Sequence, residues 1–200
     1  MILTIDESLK KLNIPVAKHS VASSLSEVER SAKNYGFPVV LKLISPKVIH
    51  KTEAGGVKVV HDLSELRETA NLYLKQGKVL IQEHCSGVEM FLGIKKDASF
   101  GHVLLTGIGG IFVEVYKDVS FRVCPIEAKD AEQMLSELKG KALLSGVRGQ
   151  KPVNQKALID AMVKLSHLPD KLGIEELDVN PFFINDKEGK AVDARLVLRD

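Results

Sequence analysis

A change of sequence pattern near residue 85 is the feature that most constrains the fold. Before it, short apolar strands alternate with amphipathic helices, as in an α/β lobe; the capping box Ser26–Glu29 opens one helix and Gly36 ends it. After the turn-like segment His84–Gly87, several short strands follow one another, as in an antiparallel sheet. We therefore predict two lobes, an α/β lobe over residues 1–86 and an α+β lobe over residues 87–200.

The apolar periodicity also predicts individual elements. In the first lobe, apolar residues spaced four apart indicate a helix over residues 64–75 that begins at Ser64. In the second lobe, Asn154 opens a helix, and a hairpin closes the chain. The strands predicted between the hinge and the helices of the second lobe are Val88–Lys95, His102–Leu105, Ile111–Tyr116 and Phe121–Cys124.

The composition excludes several classes of protein. The 200 residues are 44% hydrophobic and 27% charged, and their net charge of +2 is spread evenly, so nucleic acid is not expected as a main partner. No apolar run approaches the ~18 residues of a membrane span, and the first residues do not resemble a signal peptide, so we expect a cytoplasmic protein without membrane contact. Cys85 and Cys124 stand alone, which argues against a zinc site and a disulfide framework. Enzymes and small-molecule binding modules remain.

Lys42 interrupts the apolar strand Pro38–Ile44. A buried strand normally holds only apolar side chains, so a lysine in the middle of one needs an anion. If the strand lies at the edge of a sheet, Lys42 simply faces solvent. The functional alternative is a phosphate clamp, a positive charge that a rigid strand delivers into a cleft.

A loop rich in polar residues follows this strand. It contains His50 and Lys51 and leads to the glycine pair Gly55 and Gly56. Bare backbone amides at such a pair can approach a polyphosphate closely, although a glycine pair can also be a plain hairpin turn. The lysines and the histidine of the loop favour the phosphate-binding interpretation.

The C-terminal hairpin brings oxygen ligands together. Asp178 and Asn180 are two residues apart and so point to the same face of a strand. With a four-residue hairpin loop, position x pairs with position 373 − x, which sets Asn180 opposite Asp193 and Asp178 opposite Arg195. An amide and a carboxylate oxygen with room for water suit Mg²⁺. The structural alternative is that Asn180 only starts a turn and that Asp178 and Arg195 form an ion pair.

Further polar residues lie near the hinge and near the glycine-rich segment Thr106–Gly110. Glu83 and Glu89 flank the hinge, where they either contact an adenine amine and a ribose hydroxyl or are solvated surface groups. Cys85 lies in the hinge itself and is grouped with them as a nucleotide-binding candidate. Arg122 follows the glycine-rich segment and joins the catalytic candidates, although structural turns account for these glycines equally well.

Several segments together resemble the ATP-grasp β subunit of ADP-forming acetyl-CoA synthetase, which belongs to the nucleoside-diphosphate-forming acyl-CoA synthetases. The segments are Leu9–Val16, Tyr35–Lys42, Ser45–Val57, Gly107–Asp118, Gly146–Gly149, Glu176–Pro181 and Ala191–Arg195. They occur in order along nearly the whole chain. The resemblance implies an ATP-grasp fold of two lobes with the nucleotide between them, and an acid–thiol ligase of the acetate–CoA (ADP-forming) type.

The resemblance also implies roles for single residues toward ATP or ADP and Mg²⁺. Asn180 and Asp193 match the magnesium ligands of the family, and Asp178 takes the position of an acid near the transferred phosphoryl group. The nucleotide-binding candidates are Lys42, Lys51, Gly55, Gly56, Glu83, Cys85 and Glu89.

His50 matches a phosphoryl relay. In these enzymes a histidine of the CoA-binding α subunit first carries the phosphoryl group, and in the acetyl-CoA branch a second histidine, on the β subunit, passes it to ADP. An imidazole is a nucleophile near neutral pH, and the adjacent Lys47 and Lys51 offset phosphate charge. The alternative is a loop histidine that only binds phosphate.

The implied assembly is an α2β2 hetero-oligomer. Without the α subunit, this chain is expected to bind nucleotide but to catalyse no turnover. Two other functions stay open at this point. One is a stand-alone ATP-grasp ligase that joins a carboxylate to an amine. The other is a nucleotide-sensing module of the kind fused to protein acetyltransferases, against which the presence of His50 argues.

Overall fold

The computed structural model describes residues 2–3, 9, 13–45, 56–110, 113, 115–147, 149–169 and 173–198. The chain divides into two compact units, which are treated separately below. The small unit is Ala17–Cys85, and the large unit combines Met1–Val16 with Ser86–Asp200.

Strand pairing explains why the N-terminal residues join the large unit. Strand β1 (Ile2–Leu3) pairs antiparallel with β11 (Ala194–Leu198), and Val16 forms a bridge to Ala191. The chain therefore starts in the large unit, enters the small unit at Ala17 and returns later. Such long-range pairing leaves no mark on the local sequence pattern, so the predicted first lobe of residues 1–86 is corrected to Ala17–Cys85.

The small unit is an antiparallel sheet covered by helices on one face. Its strands are β2 (His19–Ala22), β3 (Val39–Ile44), β4 (Val57–Val60) and β5 (Lys78–Glu83), in the order β2-β5-β3-β4. Its helices are α1 (Leu25–Tyr35) and α2 (Leu63–Leu74).

Polar side chains fix where these helices begin. Ser24 caps α1 and Asp62 caps α2; each accepts the backbone N–H three residues on, at 3.4 Å and 2.9 Å. The predicted starts at Ser26 and Ser64 lie inside the helices, because in each case an earlier residue with extended backbone supplies the cap. Gly36 ends α1 as predicted, with φ of +79°.

Burial alternates along β3 and separates the two faces of the small sheet. Val39, Leu41 and Leu43 are buried in one core with the apolar faces of both helices. Lys42 lies between them in sequence and therefore on the face that the helices leave open. β3 is flanked by β5 and β4, so Lys42 does not come from an edge strand.

The large unit contains a larger antiparallel sheet. Its strands, besides β1 and β11, are β6 (Val88–Asp97), β7 (Gly101–Ile108), β8 (Val119–Val123), β9 (Ile174–Ile184) and β10 (Gly189–Ala191). The order is β1-β11-β9-β6-β7-β8, and β10 pairs with β9. Helices α3 (Ala128–Glu137) and α4 (Gln155–Ser166), the latter capped by Asn154 as predicted, share a core with the sheet. In the described part of the chain, no helix has both the length and the apolarity to span a membrane.

One predicted strand of the large unit is wrong. In the segment Ile111–Tyr116, Val113 is helical and Tyr116 lies in a turn. The carbonyl of Gly110, a residue with φ of +60°, accepts the N–H of Val113 at 3.2 Å, so the chain turns here instead of continuing as a strand. The apolar residues there resemble a strand by composition, yet Val115 and Tyr116 are 69% and 61% exposed.

Candidate functional site

The hairpin of β9 and β11 has the predicted register. Asp178 lies opposite Arg195, and the N–H of Asn180 donates to the carbonyl of Asp193 at 3.0 Å. Leu177 and Val179 are buried against the helices, so Asp178 and Asn180 occupy the other face of the sheet. We call this face of the large unit, which lies opposite helices α3 and α4, the acidic face.

Asp178 is the most perturbed group on the acidic face. Its Oδ1 is buried and has no hydrogen-bond partner among the described residues. Burial, followed by repulsion from Glu176 and Asp193, raises the pKa of the Asp178 carboxyl, while Arg195 pulls it down. On the neighbouring β6, Gly93 faces Asp178, and the Phe91 ring lies over Gly93 so closely that a Cβ there would be 2.7 Å from it.

The structure does not contain the ion pair that the alternative interpretation of the hairpin requires. Asp178 and Arg195 are cross-strand partners, yet no salt bridge joins them in the described part of the chain. The carboxylate and the guanidinium therefore remain available to a ligand.

Arg122, a predicted catalytic residue, lies on the helix-covered face of the large sheet. The register of β7 and β8 sets it opposite the core residue Leu104, on the side of the sheet that the helices cover. There its guanidinium binds both carboxylate oxygens of Glu137 on α3, which also accepts the hydroxyl of Ser120 at 2.6 Å. This pairing raises the pKa of Arg122 and lowers that of Glu137. The face on which Arg122 lies depends on the register of β8, which the sequence does not reveal. Its contacts in the structure are with Glu137, and a catalytic role stays a prediction.

Glu89 at the start of β6 touches the glycine-rich segment. The N–H of Gly109 donates to the Glu89 carbonyl at 2.7 Å, and a Cβ on Gly109 would lie 2.7 Å from the Glu89 Cγ. Only glycine fits this approach. The candidate ribose contact and the glycine segment are thus neighbours within the large unit.

Asp118 connects two segments of the large unit, a role that the sequence did not assign to it. It is 4% exposed, and its two carboxylate oxygens accept the N–H groups of Lys139 and Gly140, each at 2.8 Å. These two residues open a 3₁₀ helix, Lys139–Leu143. Asp118 thereby ties the end of the segment after β7 to the helix layer. An aspartate just before a strand was the only available signal.

In the small unit, Lys42 lies on the open face between Leu80 of β5 and Val57 of β4. Gly56 is buried next to the same strand, and its carbonyl accepts the N–H of Leu43 at 2.7 Å. A cation on an apolar, helix-free sheet face is the arrangement expected of a phosphate clamp.

Glu83 has a backbone partner in the small unit. Its register places it on the helix-covered face with Val39, and its Oε1 accepts the N–H of Lys18 at 2.9 Å. The carboxylate thus stabilises the junction of β2 and β5, and an adenine contact by this residue stays a prediction. Cys85 forms no disulfide and is half-buried at the end of the unit. His50, Lys51 and Gly55 lie outside the described residues.

The donor set of the acidic face fits a hard divalent cation. Asn180 and Asp193 offer an amide and a carboxylate oxygen from paired positions, and the orphaned Oδ1 of Asp178 lies one side chain away on the same face. Among the described residues, no group of three or more His, Cys, Asp or Glu side chains forms a metal cage. Few protein ligands of oxygen type are what Mg²⁺ uses when waters and phosphate oxygens complete its shell.

The fold and these two faces define an ATP-grasp protein, and the chain belongs to that family: the ATP-grasp domain model matches residues 3–198. More narrowly, it is an ATP-grasp β subunit of the ADP-forming acetate–CoA ligase type. It is 40% identical to the β subunit of ADP-forming acetate–CoA ligase I of Pyrococcus furiosus, over 96% of this chain and 88% of that protein.

Solved structures agree with this assignment. The acetyl-coenzyme A synthetase 1 of Ca. Korarchaeum cryptofilum, in complex with coenzyme A and Ca-AMPCP, matches with a TM-score of 0.91 and 36% identity over 99% of this chain and 93% of that one. The same enzyme with coenzyme A and Mg-AMPPCP, its phosphohistidine segment pointing towards the nucleotide-binding site, matches with a TM-score of 0.85 and 38% identity over 97% and 90%.

Proposed function

We propose that this chain carries out the phosphoryl-transfer half of the reaction acyl-CoA + ADP + phosphate = acid + ATP + CoA, and acts with a CoA-binding α subunit that carries a phosphohistidine. The observation that carries the proposal is the acidic face, where one hairpin brings Asp178, Asn180 and Asp193 together. The buried Oδ1 of Asp178 has no hydrogen-bond partner among the described residues. Chemistry of this kind is mostly positioning and charge neutralisation.

Single residues are proposed as nucleotide contacts. Lys42 binds phosphate oxygens, and Gly55 and Gly56 supply backbone amides close to them. Glu89 binds a ribose hydroxyl. Glu83 and Cys85 border the adenine. Glu83 does so with its main chain, because its carboxylate accepts the backbone N–H of Lys18.

Asn180 and Asp193 are the residues that would hold Mg²⁺, which when bound offsets the charge of the phosphate chain. Asp178 stays beside them as the acid nearest the transferred group. Its Oδ1 has no hydrogen-bond partner among the described residues, which leaves this oxygen open to a ligand.

His50 is proposed as the relay of the phosphoryl group, with Lys51 offsetting its charge. Support comes from its match to the family position and from the phosphohistidine segment named for the related enzyme. An α2β2 assembly in the cytoplasm completes the proposal.

The test is reconstitution of the complex from this chain and the α subunit of its own enzyme. We expect ATP, measured by luminescence, from acetyl-CoA, ADP and phosphate only when both subunits are present. If this chain alone converts ATP to ADP in a reaction that requires a carboxylic acid substrate, it is a stand-alone ligase and the proposal is wrong.

The relay has its own assay. With acetyl-CoA and radiolabelled phosphate, we expect acid-labile label on this chain in the complex, absent from His50→Asn and retained by the control His61→Asn, which alters an exposed histidine. Label that survives His50→Asn assigns phosphorylation elsewhere.

A further inference from the structure

The geometry points to Arg195 as a catalytic residue: we propose that its guanidinium binds the oxygens of the phosphoryl group while that group passes to ADP. The inference rests on the proposed function and deepens it. It gives the acidic face the arginine that Arg122, held by Glu137 on the opposite side of the sheet, does not supply.

The position of Arg195 follows from strand register. It lies directly opposite Asp178 and two residues after Asp193, and the intervening Ala194 lies opposite Val179 on the helix-covered side. The next residue, Leu196, is 2% exposed and belongs to the core of the large unit. Alternation therefore holds the Arg195 side chain on the acidic face.

The strand that carries Arg195 is firmly placed. β11 pairs with β9 along its length, Arg195 included, and with β1 at the next two residues, Leu196 and Val197. A residue on such a strand presents its charge with little freedom of the backbone, which is what a transferred group requires.

Arg195 is not used by the fold. Its side chain is exposed, and it forms no salt bridge in the described part of the chain, although Asp178 is its cross-strand partner. An arginine that served only to neutralise Asp178 would pair with the Oδ1 that has no hydrogen bond. The pair is instead left open, so the guanidinium of Arg195 remains available to an anionic ligand.

The charge of the acidic face favours a cation at this point. Glu176, Asp178 and Asp193 all repel an incoming phosphate, and Arg195 and Lys95 are the cations that the register places near them. Lys95 lies opposite Glu176, one row away from Asp178. Among the described residues, Arg195 is thus the cation directly opposite Asp178. Its planar guanidinium can bind two phosphate oxygens at once.

The assisted step breaks the N–P bond of a phosphohistidine and forms a bond from phosphorus to a β-phosphate oxygen of ADP. The electron pair of the N–P bond stays on the imidazole, which leaves neutral when its other nitrogen carries a proton. Arg195 gains and loses no proton; it balances charge on the phosphoryl oxygens in flight.

The experiment follows a single turnover in the reconstituted complex. The α subunit is first labelled with acetyl-CoA and radioactive phosphate, and ADP with Mg²⁺ is then added to complexes of wild type, Arg195→Gln, Arg195→Lys or Arg30→Gln. We expect Arg195→Gln to slow ATP formation by roughly 10² to 10³-fold and Arg195→Lys by at least about tenfold. ADP affinity should stay within about threefold, and Arg30→Gln, which changes an exposed arginine of α1, should match wild type.

Other results separate the possible errors. If both Arg195 variants transfer as fast as wild type, the inference is wrong while the proposed function stands. If the variants slow transfer only in proportion to a loss of folded protein, Arg195 is a structural residue, which also overturns it. If wild type itself forms no ATP, the proposed function fails and this inference fails with it. Should Arg195→Gln not fold, the Arg195→Lys rate decides.

Discussion

Lys42 illustrates how much one polar residue in an apolar strand constrains a binding site. The alternation of β3 turns it to the helix-free face of the small sheet, between apolar neighbours on both adjoining strands. Lys58 of β4 is a useful comparison because it is exposed and lies opposite Leu41, on the other face.

We expect Lys42→Met to weaken ADP binding by at least about tenfold, because one charge-assisted phosphate contact is lost. The free energy of unfolding should be unchanged or slightly higher, since methionine suits the apolar neighbours. Titration calorimetry with ADP measures the affinity. Lys58→Met serves as control and should bind like wild type; equal losses in both variants would mean that Lys42 acts only through the net charge.

Asp178 carries the opposite balance between stability and function. We expect Asp178→Asn to stabilise the protein by about 1 kcal/mol at pH 7, because it removes a half-buried charge that burial and two acids disfavour. The same change should lower phosphoryl transfer by roughly 10²-fold. Urea denaturation and the reconstituted assay measure the two effects, with Asp160→Asn on the exposed side of α4 as control.

The pH dependence of this gain has a definite sign. The pKa of Asp178 is higher in the folded protein than in the unfolded chain, so the carboxylate costs stability only where it is ionised. The advantage of Asp178→Asn should be complete well above the folded pKa and vanish as the pH falls below about 4, the ordinary value for an aspartate. A gain that grows at low pH contradicts this account.

At the residue scale, the sequence predicted which side chains lie opposite each other in the hairpin. It did not predict the sheet face on which Arg122 lies. The hairpin register depends only on loop length, which local turn residues report. The face of Arg122 depends on how β8 pairs with β7 across a long connection, and no local signal reports that.

Among the elements, the connection from β7 to β8 is held at its end by Asp118. Asp118 satisfies two N–H groups at the start of the 3₁₀ helix and is almost fully buried. Asp97 makes a similar pair of contacts, with the N–H groups of Ser99 and Phe100, but in an exposed turn.

We therefore expect Asp118→Ala to destabilise the protein by about 3 kcal/mol, because two backbone N–H groups lose a buried, charged acceptor. Asp118→Asn, which keeps one acceptor oxygen, should cost about half as much. Asp97→Ala should have a clearly smaller effect, since water replaces the lost acceptor. Chemical denaturation of the three variants gives the comparison, and equal losses at positions 97 and 118 would contradict it.

Helices were predicted correctly where the apolar periodicity agreed with a residue that begins or ends a helix, as at Gly36 and Asn154. The segment Ile111–Tyr116 shows the limit of this approach. Its apolar residues suit a strand, yet Gly110 turns the chain, and no neighbouring strand edge receives it among the described residues. Strand propensity describes fit to a sheet that must be present, so composition alone overstates it.

For the whole molecule, the separate cores of the two units suggest separate stability. The apolar residues of the small unit form their own cluster around Leu41, Leu66 and Ile81. The strands that enter and leave this unit are paired at its base, where the N–H of Glu83 donates to the carbonyl of Lys18 at 2.8 Å.

We expect a fragment of residues 17–85 to fold cooperatively, although a chain of fewer than about 70 residues has modest stability. Circular dichroism with thermal melting tests this, and Leu66→Ala, which opens a cavity in the core, should abolish the transition. A fragment without any transition would mean that the small unit needs the large one to fold.

The pairing of β1 with β11 leaves the first and last strands of the described chain side by side, with Ile2 opposite Val197. A short linker would close this chain into a ring, and the ring could be reopened at the exposed turn after β6, around Ser99. Such a circular permutant would read its motifs in a new order while each strand kept its neighbours. The order of the motifs along the chain is thus a matter of connectivity, and the chemistry of the acidic face depends on strand adjacency alone.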